Sequence, residues 1–205
     1  MMPRVYAGKP GRSSAVLIGA LLALLLGSAC GSPARRSSTG PSKAILALNE
    51  KAEAAERRRE HLKAQAYLQQ AVDQAQDPTS AAYANRQMAS LLLFWHQQEQ
   101  ALPYLEKSVE HDPTQIPVWN DLGVVYSNLQ QPAKARGALE RAVELGPKEP
   151  ISRMGLAAEL VRQSEFELAR SHYQVLLTLK IPPRIENATH RALELLRKEI
   201  ERTQK

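Results

Sequence analysis

An all-α fold built from consecutive pairs of helices is what this 205-residue sequence predicts, and three observations carry the prediction. Hydrophobic residues make up 43% of the chain but aromatics only 5%, so a core must be assembled largely from alanine and leucine, which suits helix-on-helix packing. Small and apolar residues recur at a spacing of 34 positions across abutting stretches 82–115, 116–149 and 150–183. Prolines stand near the joins, at Pro113, Pro147 and Pro182, where one helix has to stop and the next has to begin.

The stretch 116–149 is the clearest unit. Trp119, Leu122, Gly123 and Tyr126 lie on one face of a first short helix, and Ala135, Leu139 and Ala142 on one face of a second. The small residues Gly123, Ala135 and Ala142 allow helix backbones to approach, while the large ones fill the space between them. Pro132 suits the first turn of the second helix, where its missing N–H costs little. These residues, at positions 4, 7, 8, 11, 20, 24 and 27 with Pro147 at 32, resemble the tetratricopeptide repeat (TPR) family. Leu139 stands where that family usually has an aromatic. The resemblance implies a right-handed superhelix of stacked helix pairs, with the first helix of each pair lining a concave, protein-binding groove.

At the start of the chain, Arg4, Lys9 and Arg12 precede an apolar run from Ala15 to Leu26. A helix of that length spans about 18 Å, short of the ~30 Å hydrocarbon core, so the run reads as the apolar region of a secretory signal covering 1–29. It ends in Leu26-Gly27-Ser28-Ala29-Cys30, which resembles the lipobox of bacterial lipoproteins, with Gly27 in place of the usual leucine. Carried over, Cys30 becomes the lipidated first residue of the mature chain, and a membrane becomes a partner through that anchor. The alternative is an ordinary signal cut near Ala29 that leaves Cys30 as a free thiol. Residues 31–43, rich in Gly, Ser and Pro, read as a flexible linker. Gly31 is not the aspartate that retains enterobacterial lipoproteins in the inner membrane, so this resemblance implies an outer-membrane lipoprotein facing the periplasm.

Residues 44–205 are then the solenoid. A degenerate first unit, about 45–78, keeps Ala52, Ala55, Ala64, Leu68 and Ala71 in frame. The unit 82–115 places Met88, Ala89, Leu92, Ala101, Leu105 and Ser108, and 150–183 places Leu156, Ala157, Leu160, Ala169, Tyr173 and Leu176. Pro103 falls inside the second helix of its unit, where a kink is expected. Residues 184–202 carry an apolar stripe that includes Ile185, Leu196 and Ile200, and they read as a capping helix.

The formal charge of +6 does not indicate nucleic acid. Removing Arg4, Lys9 and Arg12, with no acid among residues 1–29, leaves +3, and Arg57-Arg58-Arg59 is flanked by Glu53, Glu56 and Glu60. The five histidines form no HExxH and no paired ligand spacing, and neither a Gly-rich phosphate loop nor GxSxG is present. The expectation is a protein without enzymatic activity, metal, cofactor or small-molecule substrate.

Binding is expected in the groove. By resemblance, positions 2, 5, 9, 12 and 13 of each unit face it. These are Tyr83, Arg86, Ser90, Leu93 and Phe94 in the second unit, and Pro117, Asn120, Val124, Ser127 and Asn128 in the third. In the fourth they are Ile151, Met154, Ala158, Val161 and Arg162. Arg86, Asn120 and Arg162 could hold a peptide backbone or carboxylate. Leu93, Phe94 and Trp95 either pack on the degenerate first unit or form an exposed patch. The expected function is a membrane-tethered adaptor for a protein or peptide partner. In architecture it resembles the TPR lipoproteins that assist type IV pilus secretin assembly; the alternative is an accessory subunit of outer-membrane protein or peptidoglycan machinery.

Overall fold

The structure, a computed structural model, describes residues 40–203. The signal segment, Cys30 and most of the linker lie outside them. Among the described residues there are nine helices and no strand. They run α1 Lys43–Arg57, α2 His61–Gln74, α3 Pro78–Phe94, α4 Gln98–His111, α5 Ile116–Asn128, α6 Pro132–Leu145, α7 Pro150–Arg162, α8 Phe166–Leu177 and α9 Pro183–Thr203. Each odd-numbered helix up to α7 packs antiparallel against its successor, successive pairs stack, and α9 packs on α8.

Helix starts follow local chemistry. Ser42 and Asp77 cap α1 and α3 by accepting the N–H of Ile45 and Ser80, at 3.5 and 2.9 Å. Pro78, Pro132 and Pro150 open α3, α6 and α7, where the missing donor is harmless. Pro78 begins a helix four residues ahead of the 82–115 frame, which makes α3 one turn longer than α5 or α7. α4 runs without a break from Gln98 to His111 through Pro103.

The turn inside each pair has one recurring feature. Arg59, His96, Gln130 and Ser164 all have φ near +60°. In each, the turn residue donates to a carbonyl three residues back, and the next residue donates to one five back, as in Gln130 to Ser127 and Gln131 to Tyr126. This is a Schellman closure, in which glycine would be the least strained choice.

The core is a series of apolar clusters, each bridging neighbouring helix pairs. Ala64, Ala101, Ala135 and Ala169 occupy the same place in the second helix of each pair and are fully buried. Leu68, Leu105, Leu139 and Tyr173 fill the next place along. Ser108 is buried where alanine is usual, and its hydroxyl is satisfied by donating to the Ala82 carbonyl at 2.9 Å. Leu176 is buried too, despite its size, because it shares a cluster with Leu196 of α9. No described helix is long and apolar enough to cross a membrane.

Candidate functional site: the surface of the first helices

Between α5 and α7 lies a cavity of about 270 Å³. Asn120, Val124, Met154, Ala158 and Arg162 line it, together with Ile151. Its floor is open because Gly123 and Gly155 lack side chains and Leu139 lies beneath them. Val124 and Ile151 are large apolar residues left 55% and 56% exposed, so the surface is apolar with polar groups at its edge. The Oδ1 of Asn120, a residue of the cavity wall, is buried without a hydrogen-bond partner.

Arg162 is held from below. Glu159, on the next turn of α7, is only 1% exposed. Its Oε2 accepts from Arg162 at 2.8 Å and from the Ser127 hydroxyl at 2.7 Å, and its Oε1 accepts from Gln163 at 3.0 Å. Burial alone would raise its pKa, but the hydrogen bonds from Ser127, Gln163 and Arg162, with the Arg162 charge, outweigh that and hold the carboxyl below its ordinary value. An ionised carboxylate under the groove therefore fixes the guanidinium, and Ser127 spends its hydroxyl on the same carboxylate.

A second cavity, of about 430 Å³, lies between α1 and α3. It gathers Ser90 and Phe94 with Asn49, Glu53 and Arg57 of α1. Phe94 is 73% exposed, while Trp95 is partly buried against the first core cluster. The apolar run is thus divided between surface and core. Leu93 is half-buried against two core clusters and presents little to the groove. Arg86 stacks over the Tyr83 ring, 5.5 Å from its centre. Asn128 is exposed at the end of α5.

Phe94 and Arg162 line different cavities. Asp121 of α5 lies at the α3–α5 step. Burial pushes its carboxyl up to about 6, against the pull of the Arg86 charge.

Glu159, Asp121 and Gly155 were not among the residues singled out from the sequence. Glu159 could have been found, as a lone acid between Leu156, Ala157 and Leu160 at a core-facing position. Asp121 gives no such signal, since its desolvation arises only when the repeats stack. Among the described residues no group of ligating side chains is placed to hold a metal ion.

A family model described as a tetratricopeptide repeat-like domain matches residues 40–162. No curated sequence matches the chain significantly. Several solved structures share the fold. One is YrrB, described as a TPR protein with an unusual peptide-binding site, at TM-score 0.62, 19% identity and coverage of 78% of this chain and 84% of that one. Another is MamA, at TM-score 0.65 and 13% identity, covering 76% of this chain and 81% of that one. A tetratricopeptide repeat protein from Parabacteroides merdae gives TM-score 0.67 at 13% identity, with 78% and 62% covered.

Proposed function

The chain belongs to the tetratricopeptide repeat-like family, and on that premise we propose that it is a non-catalytic adaptor that binds a protein or peptide partner in its groove while tethered to a bacterial membrane. One observation carries the binding half. Asn120 and Val124 from one repeat and Met154, Ala158 and Arg162 from the next converge on one apolar cavity with exposed Val124 and Ile151 at its lip. A surface of this kind gains by covering its apolar lip and by pairing the polar groups at its edge with a peptide backbone. YrrB, described as having a peptide-binding site, is a precedent on the same fold.

The tether rests on the sequence around Cys30, where a positive segment, an apolar run and small residues converge on the only cysteine of the chain. On this reading the domain sits at a membrane facing the periplasm, the outer membrane being favoured by Gly31. Assistance to a pilus secretin is the sharper form of this reading, and accessory work in outer-membrane protein or peptidoglycan machinery is the other.

Site-specific cross-linking in the source bacterium tests the binding half. A photoreactive residue at Val124 should capture a defined partner that Arg162→Gln weakens. The same residue at Gly137, on the outer side of α6, should not capture it. Equal capture from both positions would overturn the groove reading.

A further inference from the structure

The α5–α7 cavity does not end at α7. A second cavity, of about 440 Å³, opens on the far side of that helix. Ala158 and Arg162 line both, so the two cavities adjoin at α7. The far wall is α9, which contributes Leu195 and Glu199 opposite Phe166 and Tyr173. The sequence gives α9 the role of a cap, and its buried stripe of Thr189, Leu196 and Ile200 does cover the last helix pair. Leu195 lies off that stripe and is 67% exposed, so covering the core does not explain it. Val124, Ile151 and Leu195 are thus three exposed apolar residues spread over two adjoining cavities.

Charge narrows the occupant. Arg162, where the cavities adjoin, is matched by the buried Glu159 that accepts from its guanidinium at 2.8 Å, so the junction carries no net charge. The other charge on the lining is Glu199 at the α9 end. Its partner Arg202 is 3.7 Å away and largely exposed, a pairing too loose to neutralise it.

Resting on the groove reading above, the geometry points to α9 as a wall of the binding surface, and to an occupant that is an apolar peptide segment crossing α7 from Val124 to Leu195 and ending in a cationic side chain at Glu199. The apolar residues of the segment cover Val124, Ile151 and Leu195, and the cation meets Glu199, which Arg202 pairs only loosely.

Displayed short random peptides, selected on the purified full-length chain, test this. The selected sequences should carry an apolar stretch followed by Lys or Arg. Leu195→Glu should weaken them at least about tenfold with helical content unchanged, and Glu199→Lys should turn the selection to Asp or Glu at the same place. If selected peptides are lost with Val124→Glu but indifferent to Leu195→Glu and Glu199→Lys, the α9 wall is overturned and the groove reading stands. If no peptide is selected, or if binding survives Val124→Glu as well, both fall. Self-association of the chain that Leu195→Glu abolishes would identify a second copy as the occupant and overturn the peptide.

Discussion

Gly123 of α5 and Leu139 of α6 touch so closely that a side chain on the glycine would have no room. A Cβ there would lie 2.7 Å from one methyl carbon of Leu139 and nearer still to its branch carbon. Gly155 of α7 meets the same leucine from the other side, at 3.0 Å. Leu139 is therefore wedged between two glycines from successive repeats, which sets both the approach of α5 to α6 and the floor of the cavity.

Gly123→Leu should accordingly cost about 1–3 kcal/mol by overpacking, because Leu139 is itself buried and cannot swing away. Gly137, with nothing within 4 Å of an added Cβ, should accept alanine with a gain of up to about 1 kcal/mol from helix propensity. Urea unfolding of the two variants measures the contrast, and equal losses would refute this packing.

Phe94→Ala should barely change the melting temperature, because the ring is 73% exposed. Leu92→Ala, two residues earlier and 1% exposed, should cost about 2–5 kcal/mol. Thermal melts of both variants make the comparison, and a large loss from Phe94→Ala would move that ring into the core.

Asp121 should make the domain less stable as pH rises. Its carboxyl titrates at about 6 in the folded chain against 3.8 ordinarily, so the folded state binds the proton more tightly. The stability this confers is complete below 3.8 and lost as pH rises through about 6. Asp121→Asn should therefore stabilise the domain near neutral pH, on the order of 2 kcal/mol after allowance for partial exposure, and change little in acid. Unfolding curves across that range would show the gain fade on acidification; a pH-independent effect would contradict it.

Gln130 adopts φ of 58° at the turn between α5 and α6, a conformation that costs a non-glycine residue free energy. Gln130→Gly should stabilise the domain by up to about 1 kcal/mol, and Gln130→Val should destabilise it. Chemical denaturation decides between these signs and the reverse.

Cys30→Ser should abolish fatty-acid labelling and leave unprocessed precursor in the membrane fraction. Normal processing to a soluble product would refute the lipid tether.

The residues that build the stack were legible because they recur. Alanine at 64, 101, 135 and 169, and Leu68, Leu105, Leu139 and Tyr173 beyond them, announce a helix pair whose interior admits only small and large apolar groups in alternation. The turn residues Arg59, His96, Gln130 and Ser164 were not legible. Their positive φ is imposed by closure of the helix pair, and none of them is the glycine or asparagine that marks a left-handed position. The candidate site was legible by position but not by role. Asn120 and Arg162 stood out by type, but that Arg162 is already tied to Glu159, and Ser127 with it, depends on two helices brought side by side.

By itself, then, the sequence determined the helix-pair period, the small and large positions of the core, and the helix start at Pro132, since each follows from propensity and spacing within about one repeat. Tertiary structure alone decided which of Leu93, Phe94 and Trp95 faces water, how far Asp121 is desolvated, and that a second cavity walled by α9 adjoins the α5–α7 one. These depend on which surfaces meet across repeats, and burial and electrostatics are properties of that meeting and not of any one helix.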